Sequence, residues 1–106
     1  METASPPLDM ALMREGASQA KAMLTALANE NRLLLLCQLT HGEKSVSDLE
    51  SALDLHQPTL SQQLGVLRSE GLVTTRRDGK RIYYAIADPR VHSLLGTLYQ
   101  LYCPAK

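Results

Sequence analysis

The feature that most constrains this chain is a change of period between residues 58 and 87. From 58 to 70, Leu60, Leu64 and Leu67 recur at i, i+4 and i+7, the spacing of one helix face. Pro58 suits the first position of such a helix, where its missing N–H costs nothing, and Gly71 suits its C-terminal stop. Immediately afterwards, residues 72–77 and 80–87 become rich in Val, Thr, Ile and Tyr. They are joined by Asp78-Gly79, whose tolerance of positive φ favours a two-residue hairpin turn.

Upstream of this switch the pattern is helical throughout. Residues 9–27 are rich in Ala, Leu and Met and place Leu12, Ala20, Leu24 and Leu27 at roughly helical spacing. Asn29 can cap a second helix, whose run Leu33-Leu34-Leu35-Leu36-Cys37 is apolar almost all round, as expected of a fully packed central element ending near His41-Gly42. Ser45-Val46-Ser47-Asp48 fits a capping box, and Val46, Leu49 and Leu53 give a short third helix its inward stripe. Asp54-Leu55-His56-Gln57 then reads as a tight turn. Asp88-Pro89 opens a last helix carrying Val91, Leu94, Leu95, Leu98 and Tyr102 on one face until Pro104. The expected fold is mainly α with a small β-hairpin (α+β), a winged helix-turn-helix in the order α-α-α-α-β-β-α. A chain of 106 residues supports one core, so residues 9–103 are read as a single DNA-binding and dimerisation domain, with a disordered tail at 1–8 and a short tail at 104–106.

A formal net charge of zero speaks at first against a nucleic-acid partner, but the charge is unevenly spread. Residues 1–56 hold eight acidic and four basic groups, net −4, whereas 57–84 hold five basic groups against Glu70 and Asp78, net +3. The second helix of a helix-turn-helix enters the major groove, so its outward Thr59, Gln62 and Gln63 are candidate base readers, with Gln57 and Ser61 as phosphate contacts. Arg68 at the helix end and Arg76, Arg77, Lys80 and Arg81 around the hairpin tip are candidate contacts to the backbone or minor groove. Each feature alone is as well explained by a solvated surface. Together and in this order they point to double-stranded DNA, against the rival of a winged-helix protein-interaction module, whose second helix would present an apolar or acidic face. An enzyme is not expected: there is no Cys-x-x-Cys, no Gly-rich phosphate loop and no constellation of nucleophile, base and acid, and no cofactor is called for. No membrane-length apolar run or secretion signal is visible, so the expected compartment is the cytoplasm, where Cys37 and Cys103 would form at most a conditional bridge.

The segments Leu27-Ala28-Asn29-Glu30-Asn31-Arg32-Leu33 and Pro58-Thr59-Leu60-Ser61-Gln62-Gln63-Leu64-Gly65-Val66-Leu67-Arg68, with Gly71-Leu72-Val73 and Arg81-Ile82-Tyr83-Tyr84, resemble the ArsR/SmtB family of bacterial repressors. That resemblance implies a homodimer joined through the first and last helices, with each protomer placing one recognition helix on half of a near-palindromic operator. Metal sensing, known in the family, finds few ligands here. Residues 45–54 lack cysteine, Asp88 and His92 have no second His or Glu further along, and His41, His56 and His92 do not make a metal site by spacing. Cys37 and Cys103 resemble the cysteine pair of the BigR, SqrR and HlyU branch, which implies sensing of reactive sulfur species or oxidants by a disulfide or polysulfide link that releases DNA. From the residues alone Cys37 reads as core, in an apolar stripe with Leu33 and Leu36, and nothing visible lowers either thiol's pKa.

Overall fold

The computed structural model describes residues 9–103; the tails expected at 1–8 and 104–106 lie outside the described residues. Helix α1 spans Met10–Leu27, and the Asp9 carboxylate caps it by accepting from the N–H groups of Ala11 and Leu12. Helix α2 (Glu30–Leu39) starts at Asn29, whose side chain accepts from the Arg32 N–H at 3.0 Å. Strand β1 (Lys44–Ser45) leads into α3 (Val46–Leu53) and α4 (Gln57–Ser69), followed by β2 (Val73–Asp78), β3 (Arg81–Ile86) and α5 (Pro89–Tyr102). The winged helix-turn-helix expected from the pattern is the fold observed, with one addition.

That addition is β1. It is too short to show alternation in a sequence, yet it pairs antiparallel with β3, Lys44 opposite Tyr84 and Ser45 opposite Tyr83, to give a three-stranded sheet in the order β1-β3-β2. Ser45 therefore belongs to the sheet and also caps α3. Its hydroxyl accepts from the Asp48 N–H and the Asp48 carboxylate accepts from the Ser45 N–H, both at 3.1 Å, which closes the expected capping box.

Leu60, Leu64 and Leu67 of α4 are fully buried, as their spacing requires, and pack in one core with Leu35, Leu36 and Leu39 of α2, Leu49, Leu72, Val73, Val91 and Leu95. Two boundaries differ from expectation. Pro58 is the second residue of α4, since Gln57 is already helical; either place leaves proline's missing N–H without cost. The hairpin turn is Gly79-Lys80 and not Asp78-Gly79, because Asp78 pairs with Arg81 and the positive φ falls on Gly79, first of the two turn residues. The shift sets Arg76 opposite Tyr83 and Arg77 opposite Ile82 in place of Arg81 and Lys80, changing each arginine's cross-strand neighbour while leaving every side chain on the same face.

Helices α1 and α5 each leave part of their apolar residues uncovered within the protomer. Leu12 and Leu24 of α1, set at helical spacing, are exposed, and only Ala26 and Leu27 of that helix are buried. In α5, Val91 and Leu95 are buried while Tyr102 is 77% exposed. Helix α2 is also not apolar-packed all round: Leu34 and Cys37 share an exposed face.

Candidate nucleic-acid interface and thiol groove

Burial of Leu60, Leu64 and Leu67 fixes which side of α4 faces away from the core. Gln57, Ser61, Gln62 and Arg68 are exposed along it, whereas Thr59 and Gln63 are half-buried at its edge. Gln57 and Ser61, one turn apart, hold each other, the Ser61 hydroxyl donating to Gln57 Oε1 at 3.2 Å. Gln62 projects freely. Gln63, expected to point outward with it, turns instead toward α2, where its Oε1 accepts from Arg32 Nη1 at 2.8 Å. No helical-wheel argument on α4 alone could show this, because the partner lies 31 residues away. His56 stands at the N-cap of α4 and makes no side-chain cap bond. The first-turn N–H groups are thus not taken by a capping side chain.

The hairpin cations divide into two kinds. Arg77, Lys80 and Arg81 are exposed near the tip, and among the described residues none of them makes a side-chain ion pair. Arg76, grouped with them on sequence, is occupied. Its guanidinium donates to both carboxylate oxygens of Glu43, at 2.6 and 3.1 Å, and lies 4.7 Å over the Tyr83 ring. The hydrogen bond with Arg76 holds the Glu43 carboxyl below its ordinary range, consistent with a formed pair. The signal for the Tyr83 contact was the register: with the turn at Gly79-Lys80, Tyr83 stands directly opposite Arg76, where a turn at Asp78-Gly79 would have put Arg81 there.

The cysteines stand on α2 and at the end of α5. A groove of about 370 Å³ between α2 and α5 is lined by Cys37, His41, His92, Leu95, Gly96 and Tyr99, among others. Cys103, the C-cap of α5, lies one turn beyond Tyr99, to whose carbonyl its N–H donates at 2.8 Å. Both thiols are free and exposed. This corrects the reading of Cys37 as core: it shares a face with Leu34, one side removed from the buried Leu36. The groove walls still shield it from water in part, and this partial burial pushes the Cys37 thiol up from its ordinary value, with the charge of the nearby Cys103 adding to the shift. Two groove residues, His41 and His92, were not linked to Cys37 by sequence reasoning, although His41 follows it by four positions.

Among the described residues no group of three or more His, Cys, Asp or Glu side chains is placed to hold a metal ion. Asp88, expected near a metal site if any, caps α5 and pairs with Arg90 at 2.9 Å. Among the same residues no helix is long and apolar enough to cross a membrane.

Residues 29–75 match the model of the arsR family of bacterial regulatory proteins, a span covering α2 through the start of β2. The chain is 47% identical over 91 residues to the biofilm growth-associated repressor of Agrobacterium fabrum, covering 86% of this chain and 78% of that protein. In three dimensions it resembles the transcriptional repressor BigR from Xylella fastidiosa, with a TM-score of 0.87 and 40% identity over 92% of this chain and all of that one. It also resembles reduced HlyU from Vibrio cholerae, with a TM-score of 0.82 and 40% identity over 87% of this chain and 97% of that one. With its helix-turn-helix, its wing and these likenesses along most of its length, the chain belongs to the arsR family of bacterial regulatory proteins and is a DNA-binding regulator, not an enzyme.

Proposed function

We propose that this protein is a homodimeric repressor of the cytoplasm that holds an operator while its thiols are reduced and releases it when Cys37 and Cys103 become joined. The observation that carries the proposal is that two free, exposed thiols stand on two different elements, Cys37 lining the α2–α5 groove and Cys103 one turn beyond the groove residue Tyr99, near enough for the charge of one to act on the other. Helix α2 packs directly on α4, and α5 presents exposed apolar residues suited to a dimer seam, so a bond between the two ties the reading head to the seam. A disulfide restricts the two Cα atoms to about 4.4–6.8 Å, and an inserted sulfur atom relaxes that limit. Either link repositions helices that must present two heads to DNA at once.

The chemistry balances with either oxidant. Peroxide and two thiols give one disulfide and two waters. A low-molecular-weight persulfide transfers its outer sulfur to one thiol, releasing the parent thiol; the second cysteine attacks the resulting protein persulfide and expels hydrogen sulfide, leaving a disulfide. If both cysteines are first persulfidated, loss of one hydrogen sulfide leaves a trisulfide. Because burial raises its pKa, Cys37 is predominantly a thiol at neutral pH, and a rate that depends on its thiolate rises with pH from neutrality upward.

DNA contact is assigned to Gln62 as base reader; Thr59, read from the sequence as a base reader but half-buried at the edge of α4, is grouped instead with Gln57, Ser61 and the uncapped α4 N-terminus against phosphates. Arg68, Arg77, Lys80 and Arg81 supply affinity along the backbone. The test is titration of operator duplex by reduced, persulfide-treated and dithiothreitol-restored protein. Binding should be tight, weak and tight again. Cys37→Ser and Cys103→Ser should each bind like the reduced protein and ignore the treatment. Release by both serine variants, or a link found only between protomers, refutes the switch.

A further inference from the structure

Arg32 stands at the N-terminal end of α2 and reaches two other helices with one guanidinium. Its Nε donates to the carbonyl of Ala26 at 2.5 Å and its Nη2 to that of Thr25 at 3.2 Å, both in the last turn of α1. Its Nη1 donates to Gln63 Oε1 at 2.8 Å, in the middle of α4. Its own backbone N–H is held by the Asn29 cap. Arginine has donors and no acceptor, so the atom of the Gln63 amide that faces it must be the oxygen. Arg32 and Gln63 are both half-buried, whereas the neighbouring Gln62 is exposed.

From this geometry we infer that Gln63 is not a base reader but the anchor on α4 of a strut through which Arg32, a positioning residue, sets the recognition helix against the end of α1. The inference rests on the DNA-reading function proposed above and deepens it. Of the two carbonyls Arg32 reaches, that of Thr25 also accepts from the Ala28 N–H at 3.3 Å, and both lie at the negative dipole end of α1, so the arginine is well placed there whatever else it does. The bond to Gln63 is not needed for that capping role. It is a charge-assisted, partly enclosed hydrogen bond between a helix of the proposed seam and the helix of the reading head, and its effect is on angle and rigidity. Base reading then falls to Gln62.

The test uses the full chain, reduced, selecting from a randomised duplex library and then titrating the enriched duplex in 0.3 M salt, where repulsion between an introduced carboxylate and phosphates is largely screened. Variants are placed at Gln63 because removing Arg32 also uncaps α1 and could unfold the protein. Gln63→Leu should enrich the same sequence as the parent and bind it about tenfold more weakly, in keeping with loss of one hydrogen bond to a charged group. Gln63→Glu, which keeps an acceptor for Arg32 but offers DNA no amide donor, should enrich that same sequence and recover most of the lost affinity. A changed base at any half-site position in either variant makes Gln63 a reader and overturns the inference. So does a Gln63→Leu protein as tight as the parent, or a Gln63→Glu protein no tighter than Gln63→Leu. A parent chain that enriches no sequence overturns the operator-reading function itself and the strut with it.

Discussion

Helices α4 and α5 are nearly the same length, 13 and 14 residues, but they place their apolar side chains differently. In α4 the three leucines at helical spacing are no more than 1% exposed, and the remaining surface is polar. In α5, Val91 and Leu95 are comparably buried, yet Tyr99, Leu101 and Tyr102 remain 64–77% exposed at the C-terminal end. Helix α1 behaves like α5, with Leu12 and Leu24 in water and an apolar groove of about 480 Å³ between the two helices. One region is finished within the protomer and offers polar groups outward. The other leaves apolar area that a second copy would cover, which is the physical support for a homodimer.

The largest effect expected from this contrast is on folding. Leu64→Ala removes a side chain packed on every side and should cost about 2–5 kcal/mol in denaturant unfolding. Leu24→Glu, on the exposed face of α1, should leave the protomer fold intact and act on assembly. A carboxylate desolvated in an apolar seam should raise the dimer dissociation constant by on the order of a hundredfold, read by sedimentation. If Leu24→Glu leaves association unchanged, the seam lies elsewhere and the contrast between α4 and α5 loses its explanation.

Within the reading head, the next expected effect separates base from phosphate contact. Gln62→Ala should lose about 1–3 kcal/mol of discrimination between the selected duplex and a scrambled one. Arg81→Ala should weaken binding to both alike and reduce the slope of log affinity against log salt by about one. Equal losses on both duplexes from Gln62→Ala would remove that residue from base reading.

Much of this head was legible because its determinants are local. The Ser45–Asp48 capping box and the Asn29 and Asp88 caps lie within one helical turn of what they act on, the α4 leucines show their inward face by spacing within one helix, and all stand where the pattern puts them. What the pattern missed depends on partners distant in sequence. Gln63 and Arg32 meet across 31 residues, and Arg76 and Glu43 across 33. Strand β1 exists only because β3 lies beside it. Cys37 looked like core because its neighbours in sequence are leucines, but Leu34 on the same helix face is also exposed. The hairpin turn was displaced by one residue because Asp-Gly fits either placement, and the choice fell to the strand pairing.

The smallest expected effect tests the division among the wing's cations. Arg76 is bound to Glu43 and stacked on Tyr83, so its charge is already met, and Arg76→Ala should weaken DNA binding less than Arg81→Ala does. Glu43→Gln sharpens the comparison by removing the nearer competing carboxylate without removing the arginine, while Asp78 stays at 3.9 Å. Relieved of its Glu43 pair and left with only the longer one to Asp78, Arg76 should add up to about one phosphate contact, seen as a modestly steeper salt dependence. Acid should act in the same direction. The folded-state pKa of Glu43 is depressed below its unfolded value, so the pair contributes stability above the unfolded value and loses it as pH falls through the depressed one. The parent should therefore keep the pair at neutral pH, and protonation should release Arg76 only at strongly acidic pH. Over the neutral range Glu43→Gln should bind DNA more tightly than the parent by a constant small factor. A salt slope identical in the two proteins would place Arg76 out of reach of phosphate whether paired or free, and leave Arg77, Lys80 and Arg81 as the wing's whole contribution.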